Sequence, residues 1–104
     1  MKQLGFEVLL NPSVPAEAEL RLSRQVEVMY RLFVHHHRFG VPVSNAELMQ
    51  IGCQYNARLY ELRRALIPVG WCIDFVGKGE RGLCFYKLVR LGESQFYAQH
   101  RDRL

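Results

Sequence analysis

At Gly70 the apolar period of this sequence changes. Before it, Tyr55, Leu59, Leu62 and Leu66 recur at helical spacing. After it, in "WCIDFVGKGERGLCFYKLV", Trp71, Ile73 and Phe75 alternate along one run, and Cys84, Tyr86 and Leu88 along a second. The first pattern buries one side of a helix and the second buries one face of a strand. Between the two runs, "GKGERG" supplies glycines for the positive φ angles of a hairpin loop. A helix running straight into a two-stranded hairpin is what the pattern predicts.

Upstream, Val26, Met29, Tyr30, Phe33 and Val34 repeat at i, i+3, i+4, i+7 and i+8, which predicts a helix from Ser23 to about Phe39 and Gly40. Gly40 suits the position just past a helix end, and Pro42 blocks continuation. Ser44 followed by Glu47 forms a capping box, so a short helix starts at Asn45 and is stopped by Gly52 near Ile51. The next helix spans 54–67 and is closed by Pro68 and Gly70. Two short helices joined through a glycine-containing turn are the helix-turn-helix signature. With a short extended piece at 41–43, the expected fold is α+β: a winged helix with three helices in helix-turn-helix arrangement and a two-stranded hairpin wing. The domain covers 23–91, preceded by a lead-in at 1–22 and followed by a tail at 92–104. In the lead-in, "FEVLL" suits a short strand and "AEAELRL" the first turns of a helix. The tail, with Phe96 and Tyr97 as docking groups, reads equally as a frayed helix or as disordered.

A chain of 104 residues, 49% hydrophobic and 23% charged, supports one globular domain with a modest core. No run approaches the roughly 20 apolar residues that span a bilayer, and the N-terminal stretch lacks a signal-type cleavage region, so a cytoplasmic protein is expected. Three cysteines, Cys53, Cys72 and Cys84, form no Cys-x-x-Cys pair and read as free, small buried thiols. The formal charge of +4 is concentrated in the middle of the chain, which is permissive for nucleic acid.

The third helix has two distinct sides. At about 100° per residue, Leu59, Leu62 and Leu66 fall within about 40° of Tyr55 as the buried stripe. Opposite lie Ala57, Tyr60, Glu61 and Arg64, with Gln54, Asn56, Arg58 and Arg63 on the flanks. Small Ala57 permits close approach, and Arg, Asn and Gln are the side chains that meet guanine, adenine and phosphate. Gln54, Asn56, Tyr60 and Arg64 are expected to face the major groove of double-stranded DNA. Arg58 and Arg63 are expected to hold phosphates, and Lys78 and Arg81 to contact backbone from the hairpin loop. The competing reading of this helix is a solvated face on which Glu61 pairs locally with Arg58 or Arg64.

The stretch 23–89 resembles the small winged helix-turn-helix modules common in phage, prophage and bacterial genomes. The likeness rests on "SNAELMQIG", on "ARLYELRRAL" with "GWCID" after it, and on "LCFYKLV". Ala57, Arg58, Leu59, Leu62, Arg63, Gly70, Ile73, Tyr86 and Leu88 fall on the positions of that pattern. The resemblance implies a DNA-binding fold with the third helix as reader, in a transcriptional regulator or phage accessory factor. The loop departs from it: with only Lys78 and Arg81, and Glu80 between them, it is a weak wing.

Other chemistry finds little footing. His35, His36 and His37 point about 100° apart on a helix and cannot share one metal ion, so they read as imidazoles at a wet helix end. There is no phosphate-binding loop before a helix, no Gly-x-Ser-x-Gly and no His-Glu-x-x-His, and Glu47, Glu61 and Asp74 suit capping or surface roles. Neither an enzyme, a cofactor nor a small-molecule substrate is expected. The alternative to DNA binding is a winged helix used for protein–protein contact or oligomerisation, a homodimer included, through Phe85 exposed beside Leu83.

Overall fold

The computed structural model describes residues 14–16 and 20–103. The expected strand "FEVLL" and residues 17–19 of "AEAELRL" lie outside the described residues. Among them the order is α1 (Arg24–Arg38), β1 (Val43–Ser44), α2 (Asn45–Ile51), α3 (Tyr55–Leu66), β2 (Trp71–Lys78), β3 (Cys84–Arg90) and α4 (Gln95–His100). The class is α+β.

Helix α1 buries Val26, Met29, Tyr30 and Phe33, the stripe its period predicts. It ends in a Schellman turn: the Val41 N–H donates to the His36 carbonyl at 3.0 Å and the Gly40 N–H to that of His37 at 3.1 Å, with Gly40 at φ +67°. Directly beyond, the capping box forms as expected, with the Glu47 N–H donating to Ser44 Oγ at 3.2 Å and the Ser44 N–H to Glu47 Oε1 at 3.0 Å. The second Glu47 oxygen lies 2.9 Å from Nε2 of half-buried His36, tying α1 to the start of α2.

Burial pushes the Glu47 carboxyl up, but the Ser44 N–H, the charge of His36 and hydrogen bonds from both residues together hold it below its ordinary value of 4.5. A carboxyl with a folded pKa below its unfolded one adds stability above the unfolded value and loses it as pH falls through the folded one. The native chain should therefore be more stable than Glu47→Gln at about pH 6, and the gap should narrow below about pH 4. Urea unfolding at both pH values measures this; a constant gap would remove the charge from the account.

The sheet is three-stranded and antiparallel, in the order β1-β3-β2, rather than the two-stranded hairpin expected. Val43 and Ser44 pair with Tyr86 and Phe85. A two-residue strand carries no periodicity, so its pairing depends on where β3 ends up rather than on local pattern. Helices α1 and α3 supply one side of the core, with Leu59, Leu62, Leu66, Ile73 and Leu88 at its centre.

Strand β2 departs from simple alternation. Trp71, Cys72, Ile73 and Asp74 are all buried, whereas Phe75, expected on the buried face, is 48% exposed. Two causes act. The second face of β2 is covered by α4, the ordered form of the tail, and a bulge at Val76 ends the regular register between Phe75 and Gly77. Phe85, expected to be exposed with Leu83, is half-buried like Leu83, and its ring lies over Gly79 so closely that a Cβ there would meet Cε2 at 2.6 Å. Of the cysteines, Cys72 is buried, Cys84 is half-buried and Cys53 is exposed in the turn between α2 and α3. Among the described residues no helix is long and apolar enough to cross a membrane.

Candidate nucleic-acid interface

Helix α3 buries Leu59, Leu62 and Leu66 and leaves Gln54, Asn56, Ala57, Tyr60, Glu61 and Arg64 exposed. The division follows directly from the 3.6-residue period. At its start, Gln54 occupies the N-cap position without a side-chain cap bond, so its amide is available to a ligand. Two turns on, Arg64 lies over Tyr60, with its guanidinium carbon 5.8 Å from the ring centre and Nη1 3.4 Å from the hydroxyl. These two side chains form one exposed unit carrying a donor fork and an aromatic face.

Both flanking arginines are tied within the protein, and Arg58 makes the local pair with Glu61 that the solvated-face reading expects. Arg58 donates from Nε to Gln25 Oε1 of α1 at 2.9 Å and pairs with Glu61 one turn along. Arg63 turns inward: its Nε donates to the Ile73 carbonyl at 2.9 Å, and its guanidinium stacks 3.8 Å from the centre of the Phe96 ring on α4. Burial lowers the Arg63 pKa, partly offset by Cys72, Tyr86 and Asp74, although a guanidinium keeps its charge throughout the physiological range. Its Nε is committed to the protein, so the structure gives Arg63 a contact within the fold that the helical wheel does not show. Neither tie was legible locally, because Gln25 lies 33 residues from Arg58 and Ile73 lies on another element.

The pairing of Arg58 with Glu61 alters the charge of the exposed face. Glu61 is the one carboxylate there, and a partner Arg fixed from α1 offsets it. What remains outward is Gln54, Asn56, Tyr60 and Arg64 around the small side chain of Ala57.

The hairpin loop brings Lys78 and Arg81, both exposed. It is closed by the Gly79 N–H donating to the Leu83 carbonyl at 2.8 Å. Arg81 sits at φ +57°, a left-handed conformation that costs a non-glycine residue roughly 1 kcal/mol or more. A ring chain joins this end of the hairpin to the first turn of α3: Tyr55 to Tyr86 at 6.5 Å and Tyr86 to Phe75 at 5.7 Å between centroids. Burial and the neighbouring Tyr55 hydroxyl push the Tyr86 pKa up, so the Tyr86 hydroxyl keeps its proton. Phe75, which alternation assigns to the buried face, is exposed at the bulge, as is Val76 beside it.

The histidines do not converge. His36 bridges Leu32 and Glu47, His37 meets Trp71 edge-on, and His35 packs on Phe39. Among the described residues no group of three His, Cys, Asp or Glu side chains could hold a metal ion. No protein-family model matches the chain, and neither does any curated protein or solved structure.

Proposed function

We propose that the chain is a winged-helix DNA-binding protein, acting in the cytoplasm as a small regulator or accessory factor, with α3 entering the major groove and the β2–β3 loop following the backbone. The observation that carries this reading is the exposed face of α3. It presents hydrogen-bonding and cationic side chains around Ala57, and its only carboxylate is already paired with Arg58. Arg81 stands at a left-handed position where glycine would be unstrained, and that strain supports a use for the cation at the loop tip.

Gln54 and Asn56 offer amides to adenine and Arg64 a fork to guanine, while Lys78 and Arg81 contact phosphates. Two phosphate contacts give a salt slope of about −2 in log K against log salt. In fluorescence anisotropy on a duplex selected from random sequence, Arg64→Ala should cost about 1 to 3 kcal/mol and relax preference at one position. Lys78→Ala should weaken binding to all duplexes and flatten the slope by about one unit. Elution of the native chain from random duplex DNA well below physiological salt would defeat the reading.

A second reading is protein–protein contact, and Phe39, 70% exposed in the turn after α1, favours it. Concentration-dependent self-association by light scattering, without DNA retention, would support that reading instead.

A further inference from the structure

We propose that Arg58 and Arg63 are positioning residues that fix the roll of α3 about its axis, and that the C-terminal helix α4 is the strut behind Arg63. This inference rests on the DNA-binding reading of α3.

The leucine stripe cannot set the roll alone. Leu59, Leu62 and Leu66 lie almost in one line, and apolar packing is non-directional. Measured around the helix from Tyr55, Arg58 falls about 60° to one side and Arg63 about 80° to the other. Each makes a directional bond to a different element. Arg58 reaches Gln25 on α1, and Arg63 reaches the Ile73 carbonyl on the edge strand β2. The reading face is thus held from both flanks.

The Arg63 tether depends on the tail. Its guanidinium lies between that carbonyl and the Phe96 ring, and Phe96 is stacked on its other neighbour, His100, at 4.3 Å. Asp74, buried on the second face of β2, holds this helix in place. Its carboxylate accepts from Ser94 Oγ at 2.6 Å, the Gln95 N–H at 2.7 Å and the Phe96 N–H at 3.3 Å. A continuous path of contacts therefore runs from the sheet through α4 to α3. With side chains ending about 5 to 6 Å from the axis, a 20° roll moves a reading group by about 2 Å, enough to break a hydrogen bond to a base edge.

The test is a set of α3 and α4 variants measured on the selected duplex and on random duplex across a salt series. Arg63→Ala and Phe96→Ala should each lower selected-site affinity about tenfold while leaving random-duplex affinity and the salt slope unchanged. The double variant should be no more than about twofold worse than either single one, because both remove the same support. Arg63→Gln, which keeps an N–H donor and loses the charge, should recover part of the loss. A salt slope reduced by about one unit in both Arg63 variants would make Arg63 a phosphate contact and overturn the proposal. Full selected-site affinity in Phe96→Ala would overturn it as well. Hydrogen exchange separates this from the function itself: Phe96→Ala should speed exchange at α3 amides more than at those of α1, whether or not DNA is bound. If the native chain fails to retain duplex DNA, the function falls; if α3 exchange is unchanged in Phe96→Ala, the strut falls.

Discussion

Asp74→Ala should lower the stability of the chain by about 3 kcal/mol, the sum of donors stranded when a buried, hydrogen-bonded carboxylate is removed. Asp74 is only 5% exposed and accepts three hydrogen bonds, all from the start of the tail helix. Its removal strands the Ser94 hydroxyl beneath α4 and opens the first turn of that helix. The loss should exceed that in Ser94→Ala, which removes one of the three bonds to Asp74 together with the cap on the Tyr97 N–H and should cost about 1 kcal/mol. Asp74→Asn, retaining one acceptor oxygen, should fall between them. For a chain of this size the alanine variant should melt roughly 15 °C lower. Urea unfolding and a thermal scan on the three variants measure the order; a loss below about 1 kcal/mol for Asp74→Ala would mean that α4 is not seated by this carboxylate.

This pair also shows where pattern reading runs out. The stripe of Leu59, Leu62 and Leu66 and the box of Ser44 and Glu47 are short-range features, set by bonds and spacings within a few residues, and both are found where the pattern puts them. Asp74 is different. In an alternating strand a lone carboxylate opposite Ile73 reads as the solvent face, and its burial depends on Ser94, 20 residues later, folding back across the sheet. The arginines of α3 pose the same problem. Arg58 and Arg63 sit on the flanks of the helix, from which a long side chain reaches inward or outward equally well, so the wheel cannot choose between phosphate and protein. The contacts within the fold are set by Gln25 and by a carbonyl at the edge of β2, neither of which has any local signature. Exposed Phe75 likewise depends on a bulge that shifts the register by one residue.

The sharpest separation of the two functional readings lies at Ala57, at the centre of the exposed face of α3. The position is solvent-exposed and helical, so either a Glu or a Lys there should change stability by no more than about 0.5 kcal/mol. Against DNA the two substitutions should diverge. Ala57→Glu places a second carboxylate beside Glu61, more than the single Arg58 can offset, and directs it at a polyanion. Like-charge juxtaposition at an interface costs several kcal/mol, so selected-site affinity should fall about 100-fold or more. Ala57→Lys adds comparable bulk with the favourable sign. It should lose no more than about tenfold at the selected site, gain on random duplex, and steepen the salt slope by about one unit. If α3 instead docks on a protein through the small side chain at this position, bulk is the deciding property and both variants should weaken that contact alike. Parallel anisotropy titrations of the two variants, with melting temperatures as the control for folding, decide between them. Equal losses from Glu and Lys would count against a polyanion as the partner of this face.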